Sequence, residues 1–358
     1  MRLRVLVVDD STLMRRLIHD ILGADPALEV VGEAADGTEA VRLIHELRPD
    51  VVTLDIEMPG MSGMEVLGYV MSEIPTPIVM LTGLRDPDLA VQALSLGAVD
   101  FLNKPSGTIS VDLYKIKEEL IRKVKMAPLA NLRQLRRGVE DTKAYERAML
   151  RLETPRAPPI GGKAPAWAVV IGASTGGPPV LEQILSSNLL DLPAGFLVVQ
   201  HMPSGFTASL ARRLDGISDL AVVEAKERMP FLAGWAYIAP GGHHLIVAED
   251  AGLDEILVRL DDSPPRGTLR PAVDVTMTTV AALYGPRTLG ILLTGMGSDG
   301  AEGFRAIREA GGHTVAQDRQ TSLIYGMPRV VAEQGLADHV LPGQEIAPAI
   351  CRIVSSEV

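Results

Sequence analysis

The sequence predicts two α/β domains, each built on a doubly wound parallel sheet and joined by a linker. Three observations carry this expectation. Short, continuous apolar runs (Val5–Val8, Val51–Leu54, Ile78–Leu81) alternate with amphipathic helical patterns through the first 125 residues, as expected of strands covered on both faces. The alternation resumes at Trp167, with runs at Ala168–Ile171, Phe196–Val199 and Leu289–Leu293. Between the two lies a stretch, 126–165, with no strand pattern. A length of 358 residues suits two domains of roughly 100–200 residues each.

Taken in order, Ser11 is positioned to cap a first helix whose Leu13, Met14, Leu17, Ile18, Ile21 and Leu22 recur at helical spacing and which Gly23 stops. Thr38 is expected to cap a second, with Val41, Ile44 and Leu47 on one face and Pro49 closing it. Residues 129–152 are Arg-rich with leucines and read as helical. Thr154 to Pro165 is Pro/Gly-rich and reads as extended linker. Helices are expected at Pro178–Leu185, Gly205–Leu214 and Ala301–Ala310. The shorter runs Trp235–Ile238, Leu245–Val247 and Ile256–Leu260 suggest antiparallel hairpins inserted into the second domain. The domain boundaries are accordingly 1–125, 126–165 and 166–358.

Composition narrows the function. A formal charge of −11 argues against a nucleic-acid partner, because phosphate neutralisation needs a basic surface. The single cysteine, Cys351, rules out an internal disulfide; it sits in an apolar stretch and is read as core, not as a catalytic thiol. No Cys/His cluster suggests zinc. The amino-terminal apolar run is too short for a signal peptide, and no run approaches the ~20 residues that span a bilayer. A cytoplasmic protein without membrane insertion is expected.

Chemistry-bearing residues follow the apolar runs of the first domain. Asp9 and Asp10 follow the first, Asp55 the second, Thr82 the third, and Lys104 follows Val99–Asn103. In an open parallel sheet the carboxyl ends of the strands share one crevice, so these groups converge. Three adjacent carboxylates repel, and a divalent cation with oxygen ligands, hence Mg2+, relieves that repulsion. Lys104 can then help neutralise a phosphoryl group, and Thr82 can donate to one of its oxygens. The motifs Val-Val-Asp9-Asp10-Ser, Leu-Asp55-Ile-Glu-Met-Pro-Gly-Met-Ser-Gly, Met-Leu-Thr82-Gly and Gly-Ala-Val-Asp-Phe101-Leu-Asn-Lys104-Pro105 resemble those of two-component receiver domains. The resemblance covers residues 1–125 and implies a flavodoxin-like fold with Asp55 as phospho-acceptor. It also implies Mg2+ held by Asp10, Asp55 and the Glu57 backbone carbonyl with support from Asp9, switch positions at Thr82 and Phe101, a cis Lys104–Pro105 bond, and a sensor histidine kinase as phosphodonor.

In the second domain, Ala168-Val-Val-Ile-Gly-Ala-Ser174-Thr175-Gly-Gly-Pro-Pro is a strand, a glycine-rich turn and a helix start containing G-x-S-x-G. Alone, this segment fits a nucleophile turn and an anion cradle equally. His201 directly follows the next strand, and Asp299 lies in a glycine-rich loop after a third. Together they supply what an activated serine needs, although the order Ser, His, Asp differs from that of α/β-hydrolases.

The motifs Ile-Gly-Ala-Ser174-Thr-Gly-Gly, Gln-His201-Met-Pro-Ser-Gly-Phe-Thr, Tyr237-Ile-Ala-Pro-Gly, Arg270-Pro-Ala-Val-Asp274, Leu-Thr-Gly-Met-Gly-Ser-Asp299-Gly and Tyr325-Gly-Met-Pro-Arg329 resemble the CheB-type protein-glutamate methylesterase domain over residues 167–353. That family implies a Rossmann-like domain with a Ser174–His201–Asp299 triad. The oxyanion would be held by backbone N–H groups near Met296, with Thr175. The implied reaction is demethylation of glutamyl methyl esters, and deamidation of glutamines, on methyl-accepting chemoreceptors. By the same resemblance the receiver covers the esterase cleft until it is phosphorylated. Two departures, Ser298 where relatives commonly carry Asn and Gly267–Leu269 before Arg270, leave the triad intact and bear on substrate preference. Two other readings stay open from sequence: a receiver-controlled esterase for a small-molecule ester, and a non-catalytic anion- or protein-binding output module.

Overall fold

Fully buried apolar runs form the central strands in the computed structural model, which describes residues 2–83, 87–104, 112–132, 162–250, 252 and 255–356. The chain divides into two units, residues 1–140 and 141–358. Most of the expected linker, 133–161, and Pro105 lie outside the described residues.

The first unit contains β1 (Leu3–Val8), α1 (Thr12–Gly23), β2 (Leu28–Ala34), α2 (Gly37–Leu47), β3 (Val51–Asp55), α3 (Gly63–Glu73), β4 (Ile78–Thr82), α4 (Pro87–Ser95), β5 (Asp100–Asn103) and α5 (Asp112–Met126). The sheet order is β2-β1-β3-β4-β5, and every neighbouring pair is parallel. Val5 to Val8 and all of β3 and β4 are buried. Strand β2 is half-covered, with Leu28 and Ala34 inward and Glu29 and Glu33 at the surface. Its sequence therefore lacks the apolar run that marks the other strands.

Ser11 caps α1 as expected, accepting from Met14 N–H. The buried stripe is Ile18, Ile21 and Leu22; Leu13, expected to belong to it, is 80% exposed. The expected Thr38 cap is corrected: Asp36 caps α2, its Oδ1 accepting from Glu39 N–H at 2.8 Å, and Thr38 is the second residue of the helix, within its first turn. Asp36 has the extended backbone of a cap residue and a short carboxylate that satisfies an otherwise orphaned N–H. Helix α3 opens with a full capping box, Ser62 and Glu65 each bonding the other's backbone N–H.

The second unit contains β6 (Trp167–Ala173), α6 (Gly177–Leu185), β7 (Ala194–Gln200), α7 (Phe206–Ile217), β8 (Ala221–Glu224), β9 (Met229–Pro230), β10 (Trp235–Ile238), β11 (His244–Asp250), β12 (Glu255–Asp261), α8 (Val273–Tyr284), β13 (Thr288–Leu292), α9 (Ala301–Glu309), β14 (His313–Gln317), α10 (Met327–Glu333), β15 (His339–Leu341) and α11 (Gly343–Ser355). A seven-stranded parallel sheet runs β15-β14-β13-β6-β7-β10-β8. Its central strands β6, β7 and β13 are buried throughout.

The antiparallel insertion is a three-stranded sheet, β11-β12-β9. Trp235–Ile238, expected in a hairpin, instead joins the main sheet between β7 and β8. Ala236, Tyr237 and Ile238 are all fully buried, which a strand covered on both faces allows and a half-solvated hairpin does not. Cys351 is half-buried on α11, whose core face is Ile346, Ala347, Ile350 and Val354. Among the described residues no helix is long and apolar enough to cross a membrane.

Candidate functional site

In the first unit the carboxyl ends of β1 and β3 bring Asp9, Asp10 and Asp55 together, with one oxygen of each within 4.8 Å of the others. Lys104, one residue beyond β5, places Nζ 2.7 Å from Asp9 Oδ2 and 2.6 Å from Asp55 Oδ2. Burial pushes the Asp55 carboxyl up to about 6; Lys104 opposes that shift and Asp9 adds to it. Burial alone would lower Lys104, yet its bonds to Asp55 and Asp9 hold it above the usual lysine range. An oxygen-only donor set with surplus negative charge, Asp9 and Asp55 buried and Asp10 open to solvent, fits a hard divalent cation. The adjoining cleft is lined by Asp10, Glu57, Met58, Met64, Leu89 and Gln92. Gly63 is required there, because a Cβ at its position would overlap the Asp55 carbonyl oxygen.

Thr82 ends β4 and is buried, its hydroxyl donating to Gly83 O at 3.0 Å. Phe101 is 3% exposed. Lys123 on α5 bonds the Phe101 carbonyl and Asp100, with its ammonium 5.4 Å from the ring centroid.

In the second unit, the strand order reverses about β6: β7, β10 and β8 extend one way and β13, β14 and β15 the other. Ligands of open α/β sheets bind at such a switch point, outside the carboxyl ends of the strands. Ser174, His201 and Asp299 lie beyond β6, β7 and β13, the three strands that meet there. The β6–β7 register pairs Ala173 with Gln200, so Ser174 and His201 are the next residues on adjacent strands. His201 N–H donates to Ala173 O at 3.0 Å.

His201 Nε2 lies 2.7 Å from Asp299 Oδ2. This leaves Nδ1 as the ring nitrogen able to take a proton. Asp299 is held by two further donors, Val273 N–H to Oδ2 at 2.7 Å and Asp274 N–H to Oδ1 at 3.0 Å. Burial would raise its carboxyl; the bonds from His201 and from these two N–H groups keep it below the usual carboxylate range. It is therefore an anion at neutral pH, able to stabilise an imidazolium. Among the described residues the Ser174 hydroxyl makes no hydrogen bond, to His201 or otherwise.

The Ser174 turn is fixed by groups that the sequence reading did not single out. Gln200, 3% exposed, donates through Nε2 to Ser174 O at 2.9 Å and His201 O at 3.2 Å, tying the two residues together. Thr294 O accepts from Ser174 N–H at 3.0 Å, and the Thr294 hydroxyl donates to Thr175 O at 2.9 Å. Gly295 packs so closely that a Cβ there would sit 2.6 Å from Ser174 Cβ. The next residue, Met296, presents a backbone N–H that meets no acceptor among the described residues. In sequence Gln200 is marked only by its place at the head of the Gln-His201-Met-Pro motif.

Comparison with known proteins identifies the family of both units. The family model described as CheB methylesterase matches residues 169–350, and that of the response regulator receiver domain matches residues 5–112. A protein-glutamate methylesterase/protein-glutamine glutaminase of Symbiobacterium thermophilum is 47% identical over 98% of this chain and 97% of its own. One from Pyrococcus horikoshii is 43% identical over 99% and 94%. The crystal structure of the Thermotoga maritima CheB methylesterase catalytic domain is 41% identical and superposes with a TM-score of 0.50, covering 55% of this chain and all of that one. With both domains matched in order and relatives aligned along nearly its whole length, the chain belongs to the CheB methylesterase family, with a response regulator receiver domain preceding the methylesterase domain.

Proposed function

We propose that the chain is a phosphorylation-activated, cytoplasmic protein-glutamate methylesterase and protein-glutamine glutaminase acting on methyl-accepting chemoreceptors, with Ser174, His201 and Asp299 as its catalytic triad. The observation that carries the triad is the 2.7 Å contact between His201 Nε2 and the buried, ionised Asp299. It fixes both the tautomer and the plane of the ring, so that Nδ1 is the base.

Nδ1 takes the Ser174 proton as Oγ attacks the γ-carbonyl carbon of a glutamyl methyl ester. The carbonyl oxygen becomes the oxyanion, received by the unpaired Met296 N–H together with Thr175. The tetrahedral adduct collapses, the C–O bond to the methoxy group breaks, and Nδ1–H protonates it to methanol. Water then attacks the Ser174 ester and gives its proton to Nδ1; collapse returns that proton to Oγ and frees glutamate. With a glutamine side chain the leaving group is ammonia. Asp299 stays ionised throughout. The Ser174–His201 bond closes as substrate enters, since such bonds are commonly long without ligand.

In the receiver, Asp55 is the phospho-acceptor. Asp10, Asp55 and the Glu57 carbonyl, supported by Asp9, would hold Mg2+, which supplies positive charge for the incoming phosphoryl group. Lys104, already bonded to Asp9 and Asp55, supplies further neutralising charge. Thr82 and Phe101 carry the switch, and a sensor histidine kinase is the phosphodonor.

The test is methanol release from methylated receptor membranes. Ser174→Ala should abolish it; unchanged release would remove Ser174 from the mechanism. Asp55→Asn should retain basal release but lose stimulation by acetyl phosphate; undiminished stimulation would place the phospho-acceptor elsewhere.

A further inference from the structure

We propose that Asp274 is a positioning residue for the reaction: it and Asp299 cap each other's helices, and this exchange holds the carboxylate on which His201 depends. The proposal rests on the triad reading above.

Two helices begin side by side at the switch point, and neither has a capping side chain of its own. The cap residue of α8 is Ala272 and that of α9 is Gly300. An uncapped first turn leaves N–H groups orphaned. Here the first two N–H groups of α8, Val273 and Asp274, donate to Asp299, the residue just before the α9 cap. In return Asp274, in the first turn of α8, accepts at Oδ1 from Gly300 N–H at 2.9 Å and Gly303 N–H at 2.8 Å. Each carboxylate thus sits at the positive end of the other's helix dipole.

Glycines make the exchange sterically possible. A Cβ at Gly303 would lie 2.5 Å from Met277 Cβ, and one at Gly300, where φ is +101°, would lie 2.5 Å from Leu292 Cδ1. The missing side chains let the α9 start pack closely against Met277 and Leu292, while each carboxylate reaches the other helix's first turn.

Three donors converge on the two oxygens of Asp299 in this arrangement. Oδ1 serves α8 alone, and Oδ2 serves both α8 and His201. A shift of the Gly300 turn would move Oδ2 relative to His201 directly. Asp274 is the side chain that pins this turn, from one residue beyond Asp299. Its own carboxyl is pushed up to about 6, by burial first and then by Asp299 beside it, against the pull of the Gly303 and Gly300 N–H groups. The hydrogen bonds it accepts need an oxygen in that place, not a charge.

The experiment is a double-mutant cycle on the full chain, using Asp274→Ala, Asp299→Asn and the pair, with Asp274→Asn as the conservative variant. Methanol release gives kcat and KM, thermal unfolding reports folding, and the low-field proton resonance of the His201–Asp299 hydrogen bond reports the contact. Asp274→Ala should lower kcat by about 10–100-fold, the range expected when a group one step removed from the reacting atoms loosens their alignment. KM should stay within about twofold and the low-field resonance should broaden or shift. Asp274→Asn, which keeps the acceptor oxygen, should recover most of kcat and the resonance.

Because Asp274 acts through Asp299, the pair should be no slower than Asp299→Asn alone. Fully multiplicative losses, or a folded Asp274→Ala protein with near-wild-type kcat, overturn the proposal. So does an Asp274→Asn protein as slow as the alanine variant. If Asp274→Ala does not fold at the assay temperature, Asp274→Ser takes its place in the cycle under the same criteria. A wild-type rate for Asp299→Asn would instead overturn the triad reading itself, so the two failures are distinguishable.

Discussion

Replacing Asp299 by asparagine isolates what its charge contributes. The two carboxylate oxygens serve three donors: Oδ2 accepts from His201 Nε2 and Val273 N–H, both at 2.7 Å, and Oδ1 accepts from Asp274 N–H at 3.0 Å. An asparagine must turn its NH2 group toward one set. Facing the Oδ2 partners it would confront Val273 N–H and disturb the His201 contact as well. Facing Oδ1 it confronts only Asp274 N–H, so this orientation wins and the imidazole tautomer survives. The structural cost is one unsatisfied buried N–H, about 1–3 kcal/mol. The catalytic cost is the attraction between carboxylate and imidazolium, about 4 kcal/mol for charges roughly 4 Å apart at an effective dielectric constant near 20. At about 1.4 kcal/mol per decade this is a ~10³-fold loss in kcat. Substrate binding precedes imidazolium formation, so KM should change little. The assay is methanol release from methylated receptor membranes at saturating substrate, beside thermal unfolding. A folded Asp299→Asn protein within tenfold of the wild-type kcat would refute the argument that a buried anion stabilises the imidazolium.

Three further outcomes follow from the same geometry. Gly295→Ala forces a methyl group to within 2.6 Å of Ser174 Cβ; displacement of the nucleophile by about an ångström should slow labelling of Ser174 by a fluorophosphonate roughly 10²-fold, and an unchanged rate would show that the turn yields without cost. Gln200→Met keeps the side-chain volume but removes the amide that joins Ser174 O to His201 O; stability should fall by about 1–3 kcal/mol with kcat reduced and KM unchanged, and wild-type kinetics would show that the strand register alone aligns the pair. Asp274, with its carboxyl raised from 3.8 to about 6 in the folded chain, binds more protons folded than unfolded between those values. Its ionisation therefore makes wild-type stability fall as pH rises from about 4 to 6, relative to Asp274→Asn, and adds no further slope above that window. Parallel unfolding curves for the two proteins across this range would contradict the raised value.

Some of this was legible from residues alone for a definite physical reason. Strands covered on both faces are apolar at nearly every position, buried Thr53 being an exception, so Val5–Val8, Val51–Leu54, Ala168–Ile171 and Phe196–Val199 announce themselves, and the polar residues that follow soon after the runs lie toward the carboxyl ends of the strands. Strand β2 did not show itself because only Leu28 and Ala34 are buried, which leaves no run and little alternation. Thr38 and Asp36 are both good caps by type, and backbone geometry decided for Asp36. Trp235–Ile238 reads as a short strand either way, and its placement in the main sheet depends on partners from β7 and β8, distant in sequence.

The sequence by itself determined two parallel-sheet domains, a carboxylate cluster beyond β1 and β3, and a serine, a histidine and an aspartate each beyond a buried strand. These are local properties, set by which residues avoid water and which residue follows them. The tertiary structure alone decided that Nε2 of His201 bonds Asp299, that Gln200 ties Ser174 to His201, and that Asp274 and Asp299 exchange helix caps. Each of these is a hydrogen bond between chain segments whose approach is fixed by the packing of whole strands and helices, and no pattern along one segment encodes where another will stop.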